Sequence, residues 1–153
     1  MSPESVPVFT DVRDVIANVQ LSGIVFQNIR GQLRDEPKSE LKGIHRDLGL
    51  LARDTSSELL ARLDLTVSTA EAKFKLSAIA TYVKDTPFSA DETAVRDFME
   101  KVALFAVWPY LRAQLQTLSV GLSLEPITLP VLLQGQVRLT DQPTDTVDSG
   151  AEG

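Results

Sequence analysis

Two stretches in the middle of the chain alternate apolar and polar residues with a period of two. Apolar residues occupy every second position from Leu59 to Val67 and again from Ala72 to Tyr82. This period predicts two strands, each with one buried and one mostly solvated face, joined as a hairpin by the short turn between them. β-Branched and aromatic residues predict a further strand over residues 21–33, and residues 47–56 are predicted as another.

Helical spacing replaces this period on both sides of the β-rich block. A short helix is predicted after a Thr10 or Asp11 cap. A second helix is predicted from a capping box of Ser89 and Glu92, with an apolar stripe of Val95, Phe98, Met99, Val102 and Ala106. Because proline disfavours helical geometry in the preceding residue, Pro109 predicts an end or kink at Trp108.

Beyond Pro109, a third apolar stripe predicts another helix with Gly121 as its C-cap, the stripe being Leu111, Leu115, Leu118 and Leu122. The predicted class is therefore α+β, with an antiparallel sheet of about four strands followed by two helices packed on one face. Some outward positions of the strands are also apolar, namely Leu60, Ile79 and Val83. Together with the largely uncharged last helix, they predict self-association.

Composition is that of one globular domain, with 153 residues of which 43% are hydrophobic. We expect residues 1–9 to be disordered, residues 10–140 to fold, and residues 141–153 to form a disordered acidic tail. A net charge of −6 without a basic stripe argues against a nucleic-acid partner. The absence of cysteine, of a secretory signal and of an apolar run of about 20 residues predicts a cytoplasmic protein with no membrane partner.

Side chains with candidate chemistry are scarce. His45 is the only histidine, and its charged neighbours favour a surface position over a general base. Asp141, Asp145 and Asp148 lack the glycine and terminal glutamate of a calcium loop, so no metal site is predicted. Trp108 and Tyr110 fit core packing better than ligand stacking. With no catalytic motif in the chain, we expect neither an enzyme nor a cofactor.

One stretch resembles a known family. Trp108-Pro109-Tyr110-Leu111-Arg112, an apolar helix, Gly121 and the run LSLEPITLPV are similar to the long helix and extended segment of SecB protein-export chaperones. That family typically shows a Phe/Trp-Pro-Tyr-x-Arg start, a glycine and a Pro-x-Leu-x-Leu-x-Pro-Val run. The likeness extends over residues 14–139, with residues 42–56 as a crossover strand.

The resemblance implies a function and an assembly. It implies an ATP-independent holdase that binds unfolded or nascent polypeptides, with protein export as the family role. It implies a homotetramer, a dimer of dimers, with an interface made by Phe98, Val102, Trp108, Tyr110, Leu111, Leu115 and Leu118. The client groove would be lined by Ile44, Leu48, Leu50, Leu122, Leu124, Ile127, Leu129 and Leu132. Two alternatives stay open, namely an adaptor for one partner, such as an antitoxin-linked chaperone, and a structural homo-oligomer without clients.

The sequence departs from the family at the positions that meet SecA. Export chaperones of this family carry acids on the outer sheet face that bind the small basic zinc domain of SecA. The first-strand acids align with Gly23 and Gln27, and the leucine and glutamate of the return strand align with Lys75 and Ser77. Neutral groups and a lysine remove the charge complementarity, so we expect weak or no SecA binding at this surface.

Overall fold

The computed structural model describes residues 6–130 and Leu132. Within these residues, six strands and three α-helices follow one another, with a π-helical turn before the last helix. In chain order they are β1 (Val8–Phe9), α1 (Val12–Ala17), β2 (Val19–Leu33), β3 (His45–Asp54), β4 (Glu58–Ser68), β5 (Ala72–Lys84), β6 (Ser89–Ala90), α2 (Glu92–Phe98), the π turn (Met99–Ala103) and α3 (Leu104–Gly121).

The main sheet has four antiparallel strands in the order β2-β5-β4-β3. The strands β4 and β5 form the predicted hairpin. Residues 34–44, which we call the crossover, lead from β2 at one edge of the sheet to β3 at the other. The predicted α+β class, the four strands and the crossover are thus confirmed. The small strands β1 and β6 form a separate parallel pair.

The two faces of the sheet follow the predicted alternation. On β4, Leu59, Leu63 and Val67 are buried, while Arg62 points to solvent on the opposite face. The register places Leu63 opposite Ala78 and Leu65 opposite Leu76, so the apolar sets of both strands lie on the same face. This inner face packs against the helices and forms the core.

The edge strand β2 keeps part of its inner face exposed. Two register irregularities, at Leu21–Gly23 and Phe26–Asn28, interrupt the alternation along its 15 residues, and after each of them an apolar residue, Ile24 and then Ile29, again lies on the inner face. Although Leu21, Ile29 and Leu33 align with inner-face residues of β5, each remains 45–46% exposed. Gly31 on β2 packs closely against Phe74 of β5 and Leu118 of α3. A Cβ at this position would lie 2.9 Å from the Phe74 ring and 3.5 Å from Cβ of Leu118.

The predicted helix end at Pro109 is wrong. Pro109 lies inside α3, and the helical run is modified instead at the π turn, where the N–H of Leu104 donates to the carbonyl of Met99. The buried positions Phe98 and Ala103 are five residues apart, and the wider turn keeps both on the core side. Burial of Trp108 and Leu111 on either side of Pro109 offsets its cost of about 3 kcal/mol.

Other predicted details at element ends also need correction. Helix α2 is capped by Asp91, whose carboxylate accepts from the N–H of Ala94 at 2.8 Å, while Ser89 lies in β6 rather than in a capping box. Gly121 is the last residue of α3, and the left-handed conformation falls on Ser123, with φ of 63°. Within residues 1–9, expected to be disordered, Phe9 lies in β1 and stacks on Phe88 at 4.4 Å.

A buried lysine joins the two layers at one end of the sheet. The ammonium of Lys84 is fully buried and forms an ion pair with Asp54. It also donates to the carbonyls of Thr55 and Phe88, and it lies 4.3 Å from the centre of the Phe88 ring. Asp54 in turn accepts from the N–H of Ala90 at 3.0 Å. One side chain therefore ties β5 to the end of β3 and to the segment before α2.

We expect Lys84→Ala to lower the free energy of unfolding by about 3 kcal/mol, because it leaves Asp54 and two carbonyls without their donor. The exposed Lys75→Ala serves as the matched control and should stay within about 0.5 kcal/mol of the parent. Urea unfolding followed by circular dichroism measures both. A loss below about 1 kcal/mol for Lys84→Ala would contradict this role.

Candidate polypeptide-binding surface

Residues 124–130, which we call the returning segment, follow α3 in extended form and run back along this helix. The N–H of Ile127 donates to Oγ of Ser119 at 3.0 Å, and Nε2 of Gln116 donates to Oγ1 of Thr128 at 3.0 Å. Further along, Nε1 of Trp108 donates to the carbonyl of Pro130 at 2.9 Å. The segment is thereby fixed against α3 through side-chain hydrogen bonds rather than by joining the sheet.

The predicted groove residues divide into buried and accessible sets. Leu50, Ile127 and Leu129 are buried in the core of the single chain. Four others are half-buried and pack against that core from its margin, namely Leu48, Leu122, Leu124 and Leu132. Ile44 is 47% exposed just before β3, next to Gly43 with φ of 74°. The accessible set alone offers apolar surface that a bound chain can contact directly.

The predicted interface residues on the helices divide in the same way. Phe98, Trp108, Leu111 and Leu115 are buried in the core of their own chain, and Trp108 thus packs as expected. Val102 and Leu118 are half-buried, whereas Tyr110 is 53% exposed. Val120 was not predicted as an interface residue. It is 55% exposed and lies nearly three helical turns beyond Tyr110. From Val102 to Leu124 the only charged residue is Arg112, so the outward face of α3 is nearly uncharged.

Groups with reactive chemistry do not converge anywhere in the described part of the chain. His45 is exposed at the start of β3. Burial raises the pKa of the Tyr82 phenol, whose ring packs edge-on against Phe98 inside the core. Residues 6–130 and Leu132 contain no cluster of three metal-ligating side chains, and none of their helices is long and apolar enough to cross a membrane. Asp141, Asp145 and Asp148 lie outside the described residues.

The positions predicted to face SecA lie on β2 and β5. Gly23, Lys75 and Ser77 are on the outer face, and Gln27 is exposed at an irregularity of β2. The hydroxyl of Ser77 donates to the carboxylate of Asp64, which also accepts from Nε of Arg62 at 3.1 Å. Lys75 is exposed opposite Arg30, a basic pair that sequence reasoning missed. In the sequence, only the two alternating lysines, Lys73 and Lys75, indicated a basic surface at this place.

The four-stranded sheet, its crossover and the long backing helix make up the fold of SecB-like chaperones. The chain is 26% identical over 146 residues to the SecB-like chaperone SmegB of Mycolicibacterium smegmatis, a match that covers 95% of this chain and 97% of that protein. No protein-family model matches the chain.

Two of the solved structures that resemble this chain illustrate the likeness. One is the SecB-like chaperone Rv1957 of Mycobacterium tuberculosis in complex with a ChAD peptide from the HigA1 antitoxin, with a TM-score of 0.68 at 19% identity over 79% of this chain and 92% of that one. The other is a protein of unknown function from Streptococcus agalactiae, with a TM-score of 0.50 at 10% identity over 74% and 97% of the two chains. The predicted resemblance to SecB-like chaperones is confirmed.

Proposed function

We propose that this protein is an ATP-independent chaperone that holds non-native polypeptides in extended form. The observation that carries the proposal is the set of accessible apolar side chains around the crossover and the returning segment, Ile44, Leu48, Leu122, Leu124 and Leu132. An extended client presents apolar side chains at alternate positions, and its flexibility lets one surface accept many sequences. Holding the unfolded state needs no nucleotide, since it works by mass action.

We further propose that the working form is a homotetramer, a dimer of dimers, in the cytoplasm. The nearly uncharged outward face of α3, with Tyr110 and Val120 exposed, supports association through this helix. Exposed apolar area of this kind is uncommon on monomers and typical of interfaces.

A chaperone dedicated to one partner is the second candidate. It is favoured by the M. tuberculosis structural neighbour, which was solved with an antitoxin peptide. It is favoured too by the lack of acids at Gly23, Gln27, Lys75 and Ser77, which weakens the case for a role in export. A purely structural homo-oligomer is the remaining alternative, and failure to bind any client would support it.

The first prediction concerns client holding. The protein should suppress aggregation of several chemically denatured proteins without ATP, whereas a dedicated adaptor would act on one partner only. Ile44→Asp places a charge on the accessible apolar surface and should raise the concentration needed for half-suppression at least fivefold.

Val25→Asp is the matched control, because Val25 is at least as accessible as Ile44 but lies on the outer sheet face. Light scattering of the client reports both variants, and Val25→Asp should stay within twofold of the parent. Equal suppression by Ile44→Asp and the parent would remove the crossover from the client site.

The second prediction concerns assembly. Light scattering at low micromolar concentration should give four times the 16.7 kDa mass of one chain. Tyr110→Asp should shift the protein to smaller species, because a carboxylate loses its water at an apolar interface. Val25→Asp should leave the mass unchanged, and a 16.7 kDa species for the parent protein would refute the proposal.

The third prediction concerns the export translocase. Calorimetry against a zinc-loaded peptide from the SecA C-terminus should detect weak or no binding, since each lost surface ion pair removes about 0.2–1 kcal/mol and Lys75 adds repulsion. Low-micromolar affinity that survives deletion of residues 141–153 would show this prediction to be wrong.

A further inference from the structure

Three basic side chains meet at one end of the outer sheet face. Arg30 of β2 lies directly opposite Lys75 of β5, and Lys73 lies two residues earlier on the same face, opposite Gln32. Directly opposed residues on antiparallel strands have Cβ atoms about 4.5–5.5 Å apart, and like charges in this arrangement destabilise the sheet. We call Arg30, Lys73 and Lys75 the basic cluster.

The ion pairs of Asp11, Asp54, Asp64 and Asp97 are all made with basic residues outside the basic cluster. Asp64, which follows on the neighbouring strand, is engaged by Arg62 and Ser77. A shallow cavity of about 320 Å³ adjoins Lys73, and Arg34 and Lys38 add basic groups to its lining beside Asp35 and Glu36. Basic groups outnumber acidic ones in this lining, so together with Arg30 and Lys75 this end of the outer face favours an anionic ligand.

The chain itself contains a segment of matching charge. Residues 141–153 hold four acids, Asp141, Asp145, Asp148 and Glu152, while all 15 lysines and arginines lie before them. A segment with only negative charge and a surface with an excess of positive charge attract each other over about 8–10 Å at ordinary ionic strength.

The connection is long enough for the two to meet. Pro130 lies against Trp108, and Leu118 lies beside Gly31, the neighbour of Arg30. Trp108 and Leu118 are separated by about 15 Å along α3, and reaching the other side of the sheet adds about 10 Å or more. Leu132 is still packed against the core, and the stretch from Leu132 to Asp141 spans up to about 30 Å when extended. The first acid of the segment can therefore reach the basic cluster without any change in the fold.

We propose that the acidic segment 141–153 binds the basic cluster of Arg30, Lys73 and Lys75. The contact neutralises the like-charge pair across β2 and β5. It also makes the segment an internal competitor for any acidic partner that approaches the outer sheet face. This contact is independent of the client surface, which is built from apolar residues near the crossover and the returning segment.

The test compares the full-length chain with a full-length variant whose four acids are neutralised, Asp141→Asn, Asp145→Asn, Asp148→Asn and Glu152→Gln. The amide NMR signals of Arg30, Lys73 and Lys75 should shift between the two proteins in 50 mM salt. The difference should shrink severalfold in 500 mM salt, because screening weakens exposed charge pairs.

Charge reversal locates the contact. Lys75→Glu should abolish the effect of neutralising the acids, whereas Arg53→Glu, an equal charge change at the other end of the outer face, should leave it intact. A labelled peptide of residues 141–153 should also bind the neutralised variant, and at least fivefold more weakly after Lys75→Glu. Cluster signals that do not respond to neutralisation of the acids would overturn the proposal, even if the peptide bound when added separately.

Discussion

The fold depends on covering one apolar face of a four-stranded sheet with helices, of which α3 is the longest. Four strands spaced by about 4.8 Å are wider than one helix, whose diameter with side chains is about 10 Å. The returning segment supplies further cover, with Ile127 and Leu129 buried and the chain fixed to α3 through Ser119 and Trp108. At the edge strand β2, the inner-face residues Leu21, Ile29 and Leu33 stay nearly half exposed.

This incomplete cover links structure to the proposed function. Side chains at the margin of the core are accessible while being held in place, as at Leu124, which packs against the core and whose N–H donates to the carbonyl of Ser119 at 3.0 Å. In the proposed function, such an apolar surface attracts an unfolded chain. Because it is already formed in the free protein, no reordering of the surface is needed when a client binds. The Lys84 ion pair with Asp54 secures the opposite end of the sheet, where β3 and β5 meet the start of α2.

Most of the sheet could be predicted from the sequence, because a period of two over ten or more residues is a local signal. The helical region could not be predicted in the same way. The helix end predicted at Pro109 rested on the local steric preference of proline. The burial of Trp108 and Leu111 on both sides outweighs that preference. The five-residue step from Phe98 to Ala103 was visible in the sequence, and it is the spacing that a π turn accommodates.

The candidate surfaces were harder to predict than the fold. Leu50 and Leu124 have the same side chain, and only the packed structure shows that the first is buried and the second accessible at the margin. The opposition of Arg30 and Lys75 depends on the register of β2 after two irregularities, which no local pattern reveals. The resemblance to SecB-like chaperones supplied the crossover and the order of elements, which are long-range features.

The central claim is that clients bind at the crossover and the returning segment, and site-specific cross-linking tests it most directly. A photoreactive amino acid is placed at Ile44, at Leu124 or, on the outer sheet face, at Val25, and each protein is irradiated with a denatured client in the absence of ATP. We predict cross-links to the client from positions 44 and 124 and only background from position 25. Cross-links from position 25 alone, with none from the other two, would contradict the account.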